Sequence, residues 1–197
     1  MLYHMFGVIG RYSQGDDAMQ IIQYFMNIIR LGVLALRRKY KGPILQAIPM
    51  STVIRAGTGF LELTGKLSCR KNSYLSAGKG HLSVGRGCFI NQNVMVVSMQ
   101  KITIGNDVII GPNVVIVDHD HDYHSVNQEN TFTTSPIHIG NNVWIGANVT
   151  ILKGTILGDG CVVGAGVTLK GTYPENTLLY QEAAIETRSI ERKKQNA

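Results

Sequence analysis

Stepping by six from Ile139 lands on Ile145, Ile151, Leu157, Val163 and Leu169, an unbroken series of large aliphatic residues. A second series follows four residues later, at Val143, Val149, Thr155, Cys161 and Val167. Glycine comes directly after the first series at Gly140, Gly146, Gly158 and Gly164. The same frame runs upstream through Ile104-Gly105, Ile110-Gly111 and Ile116, with Val108 and Val114 in the second series. It recurs at Val84-Gly85 and Ile90-Asn91, with Cys88 and Val94. A period of six is neither the 3.6 of a helix nor the alternation of an ordinary strand. It fits a short flat strand and a turn, repeated, with three hexads closing one coil of a triangular prism. Both series point inward. Gly, Asn and Asp take the bends because they tolerate positive φ. Each coil bonds to those above and below, so stability accumulates coil by coil. The pattern predicts an all-β parallel β-helix over residues 52–176. It does not set the handedness, and the general crossover rule taken alone favours a right-handed coil.

The frame breaks twice. Two extra residues intrude between Val96 and Ile104, and a polar segment, 118–136, leaves the frame before Ile137. Repeat proteins place such insertions in loops on one face, often the binding face. Upstream of Val84 the frame is ragged (Leu61, Leu63, Leu67, Leu75, Leu82), as expected of a capping region.

Residues 16–40 predict one helix inside an N-terminal region, 1–51. Asp16 and Asp17 suit its start, and Arg37, Arg38 and Lys39 suit the negative end of its dipole. Ile21, Ile22, Phe25, Met26, Ile28, Ile29 and Leu36 form a wide apolar stripe, with Gln20, Gln23, Asn27 and Arg30 marking the other side. The polar residues argue against a membrane span. The stripe is expected to pack against the rest of the protein or a neighbouring subunit, with contact to a membrane surface as the alternative. Residues 177–197 form a C-terminal tail.

Composition adds three points. The net charge is +6, with basic clusters at 37–39 and 192–194, which suits anionic partners of any kind and does not choose among them. Cys69, Cys88 and Cys161 are far apart and lack metal-ligand spacing, which reads as buried thiols in a reducing compartment. Met1 to Arg11 lacks the basic start and small-residue cleavage site of a signal peptide. A cytoplasmic location is expected, peripheral to the inner membrane if the helix touches it.

The out-of-frame segment reads Asp118-His119-Asp120-His121-Asp122-Tyr123-His124. His119, His121 and His124 are candidates for a chemical role, because imidazole titrates near neutral pH. Three histidines and three aspartates this close also raise a metal site as an alternative.

The run Ile139-Gly-Asn-Asn-Val-Trp-Ile-Gly-Ala-Asn-Val-Thr-Ile151, followed by Gly164-Ala165-Gly166, resembles the hexapeptide-repeat acyltransferases. Within them it is most similar to the maltose/galactoside O-acetyltransferase branch and the related polysaccharide O-acetyltransferases. The resemblance implies a left-handed coil and a homotrimer with an active site between adjacent prisms. It also implies acetyl-CoA as co-substrate and a carbohydrate acceptor, with neither metal nor nucleic acid. Counted without gaps from the turn at Pro112, the family's base falls on His121. A one-residue slip selects His119, and His124 remains a third candidate. Asn91 corresponds to an asparagine that bonds the acceptor, with His119 nearby. Trp144 corresponds to an aromatic wall of the acetyl and pantetheine channel. Ala147, Ala165 and Gly166 are small where pantetheine must approach, and Lys170 and Arg188 are candidates for the phosphates.

The chain departs from the pattern at Lys170-Gly171 and at 181–185, which leaves the adenine end open. Met99 stands where the galactoside branch has an acidic residue, which favours a polysaccharide-linked sugar over a simple galactoside or maltoside. Other acceptors, such as an antibiotic or amino sugar, and a non-catalytic scaffold are the rival readings.

Overall fold

The computed structural model describes residues 17–126 and 131–182. Three parallel sheets form the sides of a prism, and the chain visits them in rotation. The first side stacks Tyr40–Lys41, Phe60–Leu63, His81–Val84, Lys101–Ile104, Ile137–Ile139, Ile156–Leu157 and Thr172–Tyr173. The second stacks Ser68–Cys69, Phe89–Ile90, Ile109–Ile110, Trp144–Ile145, Val162–Val163 and Leu178–Leu179. The third stacks Val53–Arg55, Tyr74–Ser76, Met95–Val97, Val115–Val117, Thr150–Ile151 and Thr168–Leu169. The result is a parallel β-solenoid of about six coils with an α-helix, α1 (Asp17–Leu36), at its N-terminal end.

Side-chain alternation on these short strands turns one residue of each pair inward. Ile139, Ile145, Ile151 and Leu157 are fully buried, and so are Val149 and Cys161 from the second series. The register confirms three hexads per coil. Ile139 pairs with Leu157, Ile145 with Val163 and Ile151 with Leu169, each eighteen residues on.

The bends with positive φ fall, as expected, on Asn and Asp (Asn93, Asp107, Asn113, Asn142 and Asn148) and on glycines such as Gly87, Gly154, Gly160 and Gly166. Two expectations about the coils change. The glycines that follow the inward aliphatics do not adopt positive φ. They are small because consecutive coils nearly touch there. A Cβ on Gly105 would lie 2.6 Å from the carbonyl carbon of Gly140. Gly105→Ala is therefore expected to lower stability by about 1–3 kcal/mol through overpacking, read as a lower urea midpoint with unchanged m-value.

The upstream region is also regular. Leu61 pairs with Leu82 and Leu75 with Val96, twenty-one residues apart, and Leu82 pairs with Ile102, twenty apart. The extra residues fall at the corner between the third and first sides, at 56–59, 77–80 and 98–100. That widened corner slips the hexad frame, so the coils look ragged in sequence.

The helix also differs from expectation. Its apolar stripe is exposed and its polar side is turned inward. Asn27 is fully buried, and its Nδ2 donates to the carbonyls of Gln46 (2.8 Å) and Ile48 (3.0 Å). Arg30 donates to the carbonyl of Thr52 at 2.8 Å and to Asn27 Oδ1 at 2.6 Å. These carbonyls lie at the end of the stack, where no further coil supplies donors, so side chains must satisfy them. Arg37, Arg38 and Lys39 lie beyond the helix and not in its last turn. The amides of Arg38 and Lys39 donate to Ala35 and Leu34, and Arg38 has φ 56°, which closes the helix in a Schellman motif.

Candidate active site

The widened corner determines where the site forms. In the first coils, the next coil's carbonyls receive the corner amides: Gly59 N donates to Gly78 O, and Gly80 N to Ser98 O. Above Ser98 the chain leaves the prism and no such carbonyls exist. Asp118 replaces them. Its fully buried carboxylate accepts from the amides of Met99 (2.7 Å), Gln100 (2.9 Å) and Lys101 (2.8 Å) and from Ser98 Oγ (3.0 Å). One side chain thus ties together both breaks in the hexad frame.

From this anchor the chain runs out as the strand His119–His121, which pairs antiparallel with Phe132–Thr134. His121 lies opposite Phe132 and His119 opposite Thr134. The Phe132 ring meets His119 edge-on at 5.3 Å between centroids and His121 at a tilt at 4.7 Å. His119 is half-buried, with Nδ1 3.3 Å from Asp118 Oδ1, whereas His121 is exposed. Lys153, one coil further on, holds the hairpin from below. Its ammonium pairs with Asp120 at 3.0 Å and donates to Thr133. His124 is exposed beyond the hairpin strand.

Sequence reasoning named the histidines but assigned no role to Asp118, Phe132 or Lys153. The paired frame breaks were a signal for Asp118. Nothing local marked Lys153.

The remaining candidates lie elsewhere on the prism. Asn91 follows Phe89–Ile90 at the corner between the second and third sides, and its Oδ1 accepts from Gln92 N at 2.8 Å. Ala147, Ala165 and Gly166 stack at that same corner, with Gly166 N donating to Ala147 O at 2.9 Å. A Cβ on Gly166 would meet nothing within 4 Å, so this edge is open to an approaching chain. Trp144 sits on the second side between Ile109 and Val162, 43% exposed. Lys170 is exposed at the corner after the third side. Arg188 lies outside the described residues.

Within one chain, therefore, the hairpin leaves one corner, while Asn91 and the small-residue edge occupy another, with the whole third side between them. A cavity of about 310 Å³ near Leu169, Tyr173, Leu179 and Tyr180, at the C-terminal end, contains none of the candidate residues.

The cysteines offer no activated nucleophile. Burial pushes the thiols of Cys69 and Cys88 up, and Cys161 Sγ donates to Pro174 O at 3.0 Å. Among the described residues, no three His, Cys, Asp or Glu side chains gather as a metal site.

Residues 136–171 match the family described as bacterial transferase hexapeptide (six repeats). An Escherichia coli protein provisionally named a lipopolysaccharide biosynthesis O-acetyl transferase is 38% identical over 112 residues, covering 52% of this chain and 57% of that protein. Escherichia coli galactoside O-acetyltransferase is 37% identical over 106 residues, covering 53% of this chain and 52% of that protein. The chain thus spans about half the length of the curated relatives it matches. Among solved structures, a hexapeptide-repeat-containing acetyltransferase from Vibrio cholerae, in complex with acetyl-CoA, superposes with a TM-score of 0.50. It is 26% identical and covers 93% of this chain and 96% of that one.

Proposed function

We propose that this chain is a hexapeptide-repeat acetyltransferase and that it transfers an acetyl group from acetyl-CoA to a hydroxyl of a sugar in a bacterial surface polysaccharide or its precursor. The observation that carries this reading is the anchored hairpin, which holds an exposed imidazole, His121, out from the stack. In the proposed reaction His121 accepts the proton of the acceptor hydroxyl as that oxygen attacks the thioester carbonyl. The carbon–sulfur bond then breaks, and the proton passes from His121 to the departing thiolate. Base and nucleophile need no covalent acyl-enzyme, in keeping with the thiols of Cys69 and Cys88, which burial pushes up and so does not activate.

The separation of the hairpin from Asn91 and the open Ala147–Gly166 edge supports a site shared between copies. His121 of one chain meets the edge of the next, where Trp144 walls the acetyl group, and Asn91 and His119 orient the sugar. Ala147, Ala165 and Gly166 line the pantetheine arm, and Lys170 faces the phosphates. Three copies close such a ring of head-to-side contacts. Lipopolysaccharide and galactoside appear in the names of the relatives, which supports a carbohydrate acceptor.

The test is free-thiol release from acetyl-CoA with a panel of oligosaccharide, aminosugar and antibiotic acceptors, together with the mass in solution. Thiol release with an oligosaccharide and a mass of three 21.6 kDa chains are expected. Release only with an amine acceptor would overturn the O-acetyl assignment. Failure to bind coenzyme A by calorimetry would leave a scaffold.

A further inference from the structure

The apolar side of α1 faces away from the protein that carries it. Ile22, Phe25, Ile29, Val33 and Leu36 share one arc of the helix, with Phe25 62% and Leu36 87% exposed. The opposite arc carries Asn27, Arg30 and Leu31. Their bonds to the carbonyls of Gln46, Ile48 and Thr52 fix the rotation of the helix, so it cannot roll to bury the stripe. The segment it rests on exposes more apolar surface at Ile44, Leu45 and Met50.

Charge indicates what covers this face. Residues 17–80 hold ten lysines and arginines against two acids, Asp17 and Glu62. Residues 81–182 hold four against eight. Among the described residues the apolar stripe thus sits at the basic end, the other end being acidic, and Arg37 and Arg38 are exposed just past Leu36. A second copy meeting the first through this end would set two such basic regions against each other, and like-charge contact opposes that. An anionic bilayer satisfies both features. The acyl boundary takes the Ile and Phe side chains while lipid phosphates attract the basic residues. Among the described residues no helix is long and apolar enough to cross a membrane, which fits a helix lying in the interface plane.

We propose that α1 docks this protein on the surface of an anionic phospholipid bilayer through the Ile22–Phe25–Ile29–Val33–Leu36 stripe and its basic surroundings. The inference stands apart from acetyl transfer. Flotation of the full-length protein with vesicles of phosphatidylcholine alone, and of phosphatidylcholine mixed with phosphatidylglycerol, tests it. Binding is expected to be at least about tenfold stronger on the mixed vesicles and to weaken with salt. A Phe25→Gln/Ile29→Gln variant should lose at least about tenfold in binding. Arg37→Gln/Arg38→Gln should lose roughly thirtyfold. All four positions are exposed, so both variants are expected to keep the wild-type circular dichroism and solution mass. Absence of vesicle binding, or equal binding by both variants, overturns the proposal. A changed solution mass for the Phe25/Ile29 variant also overturns it and assigns the face to a second copy.

Discussion

Replacing His121 with alanine is expected to cut turnover by about two to four orders of magnitude, the usual range for loss of a positioned general base. The KM for acetyl-CoA should change little, because in the proposed reaction the imidazole acts on the acceptor hydroxyl and not on the cofactor arm. His121 is exposed at the end of the hairpin strand, so the fold should survive its removal. His119→Ala gives the comparison. That imidazole lies against Asp118 and the edge of Phe132, which fits a buttress more than a base, and its loss should cost less turnover than the His121 change. If the His119 variant showed the larger loss in kcat, the base would be reassigned to it.

Asp118→Ala carries the second large effect. The carboxylate accepts three backbone amides and one hydroxyl from full burial. Alanine removes the acceptor and leaves those donors facing a void, which costs about 1–3 kcal/mol for each group left unsatisfied. A total near 3–5 kcal/mol is expected, since breaking a buried charged contact typically falls in that range. Asp118→Asn keeps one acceptor oxygen and should cost less. Urea denaturation measures both. If Asp118→Ala were as stable as wild type, the carboxylate would not be replacing the missing coil. Because the hairpin starts at the next residue, whatever fraction of Asp118→Asn remains folded should also lose turnover while retaining coenzyme A affinity.

The part of the fold most legible in the sequence was the stretch with no insertions. From Ile139 to Leu169 the first inward series is aliphatic throughout and every coil is eighteen residues, so period and register appear together. Between Leu61 and Ile102 the inward residues are as well buried, but coils of twenty and twenty-one residues shift the frame each time. Sequence periodicity has no means of recording a widened corner. The helix was placed, but its stripe does not pack against the rest of its own chain, one of the expected partners. An amphipathic pattern identifies two sides, and which one meets water depends on the carbonyls that Asn27 and Arg30 satisfy in residues 46–52.

At the site, the histidines were legible because imidazoles are scarce and clustered. Asp118 was not, because it works by imitating backbone, a role no residue type announces. Lys153 lies twenty residues and one coil from Thr133, so only the stacking brings them together.

In the proposed enzyme the thioester lies between copies, within reach of the hairpin imidazole. A crystal structure of the protein with coenzyme A measures this most directly. The pantetheine sulfur is expected along the Ala147–Gly166 edge of one chain, against Trp144, with His121 of the adjacent chain near hydrogen-bond distance. A sulfur lodged in the C-terminal cavity near Tyr173 and Tyr180, or a lone chain whose His121 meets no neighbour, would contradict it.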